Sequence, residues 1–272
     1  MKKLLSIIIC ISPWTSLISD NHPKKRLFDR EEIAAKILGR EDRKYGDHSG
    51  NRVLCRFYNQ GSIGDQSSSF SGVYPLGSGH SYIWEFSPVI AASVLDTSGN
   101  RKRIVSDGLR GLVDSSPEGT PWSFEPLAGY ANPNQENLAM SDNSSTWPST
   151  WPNKDEDWDG EWNGQYGKYV RADQESYFVM DDYYNSEYEF WPDQNDVPES
   201  STESPDDHRR GLGINLEVRG YQWNHPAAED IIIVTYWITN IGSSTLDSVV
   251  FGMYGDADVG GPSSFSDDDA WF

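Results

Sequence analysis

The chain has 272 residues, with 42 acidic and 22 basic side chains and a formal net charge of −20. This excess of negative charge excludes nucleic acid and anionic membrane surfaces as natural partners, because both repel an acidic protein. Aromatic residues reach 13% of the sequence, whereas all hydrophobic residues together reach 36%. Aromatic side chains favour strands, so the composition favours a β-rich protein over a helical one.

The first twenty residues have the pattern of an export signal. Lys2 and Lys3 precede an apolar run over 4–11, which is too short to span a bilayer. We expect residues 1–20 to be a cleaved signal peptide. The protein is then secreted or held at the cell surface, with no membrane span after cleavage. Cleavage leaves Cys55 as the one cysteine, and a lone cysteine cannot form an internal disulfide.

Residues 21–50 are interpreted as a leader segment that contains one short helix over 29–39. Asp29 can cap this helix, glutamates suit its first turn, and Gly39 can end it. The helix is the only one that the sequence predicts with clear start and stop signals.

Residues 51–272 predict a mainly β region, antiparallel and sandwich-like, with long acidic loops. Strands are expected over 51–58, within 82–95, around 103–105, and over 175–180, 212–223, 231–239 and 246–254. The last two runs flank a glycine-containing turn at 240–244, which predicts a hairpin. The sequence ends on Trp271 and Phe272 after an acidic loop, and we expect this region to be the front of a longer protein.

The clearest chemical pattern is an aspartate series with D-x-D-x-D-G spacing, formed by Asp155, Asp157 and Asp159. Calcium takes about six to eight oxygen ligands, and alternate carboxylates before a glycine turn can supply several of them. Glu161 is expected to add a backbone carbonyl, and Asn163 a side-chain or water-mediated ligand. The last ligand position of an EF-hand loop falls on Tyr166, which favours a calcium loop between strands over an EF-hand. An unliganded acidic turn is the alternative.

A second acidic group lies near the end of the chain. Asp256 and Asp258 follow the last predicted strand, and three further aspartates occupy 267–269. The two halves are candidates to share one cation. The alternative is an exposed acidic loop.

Four tryptophans lie within the segment 147–162, namely Trp147, Trp151, Trp158 and Trp162. Exposed tryptophan faces stack on sugar rings, which would give a carbohydrate-binding surface. Tryptophans also pack beneath long loops, which would make the same residues structural.

The catalytic motifs that a single sequence can show are missing. There is no G-x-S-x-G elbow, and the five histidines have no zinc-binding spacing. With 42 acidic residues, any pair chosen for glycoside chemistry is arbitrary. Whether the protein is an enzyme stays open, since a catalytic domain after Phe272 would turn this region into an accessory.

Four segments, 74–88, 147–154, 209–242 and 247–261, resemble the N-terminal part of large secreted bacterial surface proteins. Proteins of that group continue into further β domains and often into a C-terminal surface-sorting module. The resemblance implies export and cell-surface residence, and it carries over no catalytic residue. The hairpin expected over 231–254 is also similar to Ig-like and CARDB-like sandwich modules.

Together these patterns predict an exported, non-catalytic structural or adhesive module of the cell surface or extracellular space, stabilised by calcium. Its expected partners are other extracellular modules of the same longer chain. The alternative is a carbohydrate-binding or carbohydrate-processing protein that uses the tryptophan-rich acidic segment and has surface polysaccharide as its partner.

Overall fold

The computed structural model describes residues 42–65, 70–96, 98–109, 122–200, 203 and 207–259. The signal peptide expected over 1–20, the helix expected over 29–39 and the aspartates at 267–269 lie outside these residues. The described part of the chain is mainly β, its sheets are antiparallel, and it contains no α-helix of seven or more residues. This confirms the predicted class of the region at that level.

Ten strands make up the described part. They are β1 (Tyr45–His48), β2 (Cys55–Tyr58), β3 (Ile83–Leu95), β4 (Arg101–Asp107), β5 (Glu125–Pro126), β6 (Ala139–Met140), β7 (Gln174–Asp181), β8 (Ile214–Gln222), β9 (Ile233–Asn240) and β10 (Asp247–Ala257). Each strand of seven or more residues overlaps a run in which the sequence predicts a strand from alternating or β-branched residues. β1 begins before residue 51, so the β-rich region extends further upstream than expected.

The strands form two groups. Sheet 1 contains the order β10–β3–β4 and the ribbon β1–β2, and Ile63 joins these two parts by bridging Phe57 and Phe86. Sheet 2 has the order β5–β7–β8–β9, with β6 also paired to β7. The β3–β4 hairpin turns at Asp96, whose carboxylate accepts backbone N–H groups of Ser98 and Asn100, as the turn residues predict.

The prediction of a hairpin over 231–254 is wrong, although both of the predicted strands are present. β9 pairs with β8 in sheet 2, whereas β10 pairs with β3 in sheet 1. The connection after β9 does not form a hairpin turn between β9 and β10. Its residues Ile241 and Gly242 donate their N–H groups to the carbonyl oxygen of Gly213 instead. The rings of Tyr236 and Phe251 then meet 5.2 Å apart, one from each sheet.

One hydrophobic cluster contains buried residues of both sheets, including Ile90 and Ile104 from sheet 1 and Met180 and Leu216 from sheet 2. β7 is buried along its whole length, with Phe178 and Met180 in this cluster and Tyr177 and Val179 in a second one. Sheet 2 is therefore covered on both faces at β7, and the second cluster positions the tryptophan-rich segment.

Candidate functional site

The Trp segment, which we define as residues 147–162, packs on the face of sheet 2 that points away from sheet 1. Trp151 and Trp162 are each 2% exposed and lie in the second cluster with Tyr177 and Val179. The ring centroids of Trp151 and Trp162 are 6.0 Å apart in an edge-to-face arrangement. Buried rings in this geometry stabilise a fold and present no face to a ligand.

The burial of Trp151 and Trp162 favours the structural alternative over carbohydrate binding for these two residues. Trp151 and Trp162 cannot stack on a sugar, because their faces are covered by the protein. Trp147 is half-buried against the same cluster, and its Nε1 donates to the carbonyl oxygen of Met140 at 2.7 Å. Trp158 is also half-buried, and the ammonium group of Lys154 lies 4.3 Å from its ring centroid.

Each buried indole also has a hydrogen-bond acceptor. Trp162 Nε1 donates to Glu175 Oε2 at 2.7 Å, and Trp151 Nε1 donates to the carbonyl oxygen of Glu161 at 2.9 Å. The other oxygen of Glu175 accepts the backbone N–H groups of Arg171 and Ala172. Glu175 is itself 2% exposed, so this carboxylate fixes the segment to β7 from within.

A second anchor is the buried guanidinium group of Arg219 on β8. Its central carbon lies 3.9 Å from the ring centroid of Tyr177, and it donates to the backbone and side-chain oxygens of Asn163. The hydroxyl of Tyr177 accepts a hydrogen bond from Asn153 and donates one to Glu217. Burial is the main cause that raises the pKa of Tyr177, with the carboxylate of Glu217 adding to it, and keeps the phenol neutral.

The aspartates predicted to bind calcium lie on the outer surface of this segment. Asp155, Asp157 and Asp159 are exposed around a short 3₁₀ turn at Glu156–Trp158, and Gly160 completes the turn at a φ of +75°. Gly160 thus adopts the left-handed backbone conformation that glycine tolerates best, at the turn that the sequence predicts. The three carboxylates share one loop, as their spacing predicts.

Several residues predicted as calcium ligands already make polar contacts within the protein. Lys168 Nζ lies 2.8 Å from Asp157 Oδ2, so an ammonium group occupies one side of the acidic loop. The carbonyl of Glu161 accepts from Trp151, and Asn163 donates to Asn153 as well as accepting from Arg219. The part of the chain that the structure describes contains no group of three or more His, Cys, Asp or Glu side chains that could hold a metal ion.

The second acidic group is attached to sheet 1. Asp256 lies opposite Glu85 in the β10–β3 ladder, and the hydroxyl of Tyr254 donates to its carboxylate at 3.3 Å. Asp258 is 2% exposed, and its backbone N–H donates to the carbonyl of Tyr82. The aspartates at 267–269, with which Asp256 and Asp258 were predicted to share a cation, lie outside the described residues.

A buried carboxylate that the sequence analysis did not single out lies where the sheets meet. Asp182 accepts hydrogen bonds from Ser106 Oγ at 2.8 Å and from the N–H groups of Leu212 and Ile214 at 2.6 and 2.9 Å. Burial is the main cause that raises its pKa to about 6. The signal in the sequence was the aspartate pair 181–182 at the end of an apolar run. The structure adds that Gly211, with a φ of +66°, approaches this carboxylate closely.

The buried pair of His48 and Ser176 has the residue types of a nucleophilic dyad but not its setting. His48 Nε2 and Ser176 Oγ are 2.8 Å apart, and neither residue is accessible. Burial lowers the pKa of His48 to about 3, so the ring is neutral. Cys55 is also buried, and burial raises the pKa of its thiol to about 12, which makes it unreactive. His48, Ser176 and Cys55 therefore contribute to the packing of the interior.

An exposed aromatic pair follows the Trp segment. Tyr166 and Tyr169 are 69% and 52% exposed, and the guanidinium carbon of Arg171 lies 5.1 and 4.9 Å from their ring centroids. Gly167 keeps the loop tight, since a side chain there would meet the ring of Tyr169 at 2.7 Å. In the sequence, Tyr166 only disfavours an EF-hand, and no pattern marks the two tyrosines as a site.

Within the described ranges, no helix is both long and apolar enough to cross a membrane. In comparisons with known proteins, the chain matches no family model, no curated protein and no solved structure.

Proposed function

We propose that the protein is an exported, non-catalytic structural or adhesive module of the cell surface or extracellular space. In this proposal the two sheets form an antiparallel sandwich, and the Trp segment forms an additional layer on sheet 2. The shared hydrophobic cluster and the complete burial of β7 support this arrangement.

The observation that carries the proposal is the use of the buried charged groups. Glu175, Asp182 and Arg219 direct their hydrogen bonds to backbone and side-chain groups of their own chain. Asp181 and Arg209 are also buried, and they form an ion pair with each other in which Arg209 Nη1 lies 3.1 Å from Asp181 Oδ2. Groups arranged in this way hold loops on a scaffold, because their hydrogen-bonding capacity is already used within the protein.

Calcium stabilisation remains part of the proposal and rests on Asp155, Asp157 and Asp159. A calcium ion at this loop would replace the ammonium group of Lys168 beside Asp157 and would reduce repulsion among the exposed carboxylates. Glu161 and Asn163 stay the further candidate ligands, since the carbonyl oxygen of Glu161 accepts one hydrogen bond, from Trp151, and keeps a second lone pair. Asp256 and Asp258 form a separate, weaker candidate on sheet 1.

The test is the thermal unfolding midpoint of the full chain in calcium, in magnesium and in a chelator. If calcium binds the folded state and not the unfolded state, the midpoint should rise as the calcium concentration is increased. Replacing Asp155 and Asp159 together with asparagine should abolish the increase, whereas Asp256→Asn should preserve it. A midpoint that is the same in calcium and chelator would remove calcium from the proposal. Export is tested separately by N-terminal sequencing of the secreted protein.

Polysaccharide binding is a second candidate function because of Tyr166 and Tyr169. Their exposed rings and the nearby guanidinium group of Arg171 offer stacking and hydrogen bonding to a sugar chain. Electrophoresis through gels containing starch, xylan or β-glucan would detect binding as slower migration. Replacing both tyrosines with alanine should abolish this effect, and Tyr254→Ala is the exposed control. Unchanged migration of the wild-type protein in all three gels would exclude binding to these polymers.

A further inference from the structure

Among the residues that the structure describes, the strands β9 and β10 form an uncovered side, which we call the open side. β9 is the last strand of sheet 2 and β10 the last strand of sheet 1, and the contact between Tyr236 and Phe251 places the two edges beside each other. Within the described residues, neither strand is paired along its outer edge. Each edge therefore offers a row of backbone N–H and C=O groups to an added strand.

The open side also exposes apolar side chains. Val250 on β10 is 60% exposed, and Ile238 on β9 is 37% exposed. Ile238 alternates with Tyr236 and Val234, so it shares their core-facing side of the strand. An exposed residue on the core-facing side indicates that the described residues do not close the hydrophobic cluster here.

The usual protection of a sheet edge is missing on β9 and only partial on β10, whose ladder to β3 has register shifts at 247–250 and at 256–257. Natural edges carry lysine, proline or inward-pointing charge, which block pairing with another chain. β9 contains no charged residue and no proline, and β10 contains only Asp247 and Asp256 as charged residues. A buried group adds a further unmet requirement, since the hydroxyl of Tyr236 has no hydrogen-bond partner among the described residues.

We propose that the open side binds a β-strand of another polypeptide, one with apolar residues at alternate positions and Lys or Arg at both ends. Alternate apolar residues match the strand period and would close the cluster beside Ile238 and Phe251. The basic ends match Asp256 and, in competition with Arg101 at 3.2 Å, Asp247. These two aspartates stand nine residues apart on β10, or about 30 Å along an extended chain. The net charge of −20 disfavours a second copy of the same chain as the occupant.

This inference goes beyond the proposed function, because it requires neither calcium nor export. The probe is a labelled synthetic peptide, KRVTVTVTKR, titrated with the full chain at low ionic strength and followed by fluorescence anisotropy. The control peptide KRVTVPVTKR keeps the charge and length, but its proline removes a backbone donor and resists strand pairing.

Binding of the first peptide should be at least about tenfold tighter than binding of the control, as expected for pairing at a sheet edge. The double variant Ile238→Lys with Val250→Lys should weaken it about tenfold or more, since lysine protects edges. Val170→Lys is the matched control, because Val170 is as exposed as Ile238 and lies outside the open side. Circular dichroism and thermal unfolding confirm that the variants are folded.

Two results would overturn the proposal. One is equal binding, or no binding, of the two peptides at millimolar concentration. The other is a dimer in analytical ultracentrifugation that the double variant dissociates and that excludes the peptide, since a second copy would then be the occupant. Either result leaves the calcium measurement unaffected, so the two proposals fail separately.

Discussion

The Trp segment and the open side use the same kinds of residue for opposite purposes. Trp162 is 2% exposed and donates to a buried carboxylate, whereas Trp237 on β9 is 59% exposed. Sheet 2 is thus closed on its outer face by a covalently continuous segment and open at its last strand. The difference shows that aromatic content does not indicate function here, because the surrounding chain decides whether a ring supports the fold or faces a partner.

The largest expected effect tests this difference directly. Trp162→Ala should lower the free energy of unfolding by about 3–5 kcal/mol, since it removes a buried ring and leaves Glu175 without its indole donor. Trp237→Ala, on the open side, should lower it by less than about 1 kcal/mol. Urea denaturation measures both values. Similar losses for the two variants would show that the open side is covered in solution.

The next effect concerns pH and the buried carboxylate of Asp182. Its pKa is raised to about 6 in the folded protein, against a usual value of 3.8. The folded state therefore binds the proton more tightly, and the stability this contributes is present below pH 3.8 and lost as pH rises through about 6. The loss is about 2–3 kcal/mol by proton linkage.

Asp182→Asn should remove this dependence, and the difference between wild-type and variant unfolding free energies across pH 3.5–7 isolates it. His48 acts with the opposite sign: its pKa is lowered to about 3, so its contribution is present above 6.5 and lost as pH falls. Asp159→Asn, which alters an exposed carboxylate, is the control. Parallel curves for wild type and Asp182→Asn would contradict the raised pKa.

A smaller effect is expected when a glycine is replaced by alanine, and its size should differ between the interior strand β8 and the edge strand β10. A methyl group at Gly220 on β8 would lie 2.6 Å from His48 Nε2 and 2.7 Å from Ser176 Oγ, whereas one at Gly252 on β10 would meet nothing within 4 Å. Gly220→Ala should therefore cost about 1–3 kcal/mol. Gly252→Ala should be neutral or slightly stabilising. Thermal unfolding of both variants measures the contrast, and equal midpoints would show that the interior around His48 adapts freely.

The smallest effect on stability is expected at the open side itself. Val250→Lys should change the free energy of unfolding by less than about 0.5 kcal/mol, because the side chain is 60% exposed. It should nevertheless raise the protein concentration at which light scattering first appears, since a charge at an edge opposes association. A large loss of stability would mean that Val250 is buried by part of the chain in solution.

Local patterns in the sequence predict much of the fold. The alternation of Val53, Cys55 and Phe57 predicts a strand over 51–58 with one buried face. All three residues are buried, and the strand itself covers Cys55–Tyr58. The β-branched run of β9 and the turn before β4 are likewise local properties. The pairing of β9 and β10 was predicted wrongly, because a short connection with glycine suits both a hairpin and a crossing between sheets.

The candidate site was predictable only in part. The spacing of Asp155, Asp157 and Asp159 placed three carboxylates on one turn, because neighbours along a loop stay close in space. The sequence could not show that Lys168 lies against Asp157, or that Arg219, 56 residues after Asn163, occupies its oxygens. Contacts over such distances depend on how the sheets pack, and a single sequence carries no record of that.

The sequence by itself therefore determined the strand-forming runs, the acidic surface and the position of the tight turns, since these follow from side-chain period, charge and backbone freedom. Only the tertiary structure decided which strands pair, which tryptophans are buried and where a carboxylate such as Asp182 loses its water. The physical reason is that burial is a property of two surfaces brought together, and each surface alone is compatible with more than one partner.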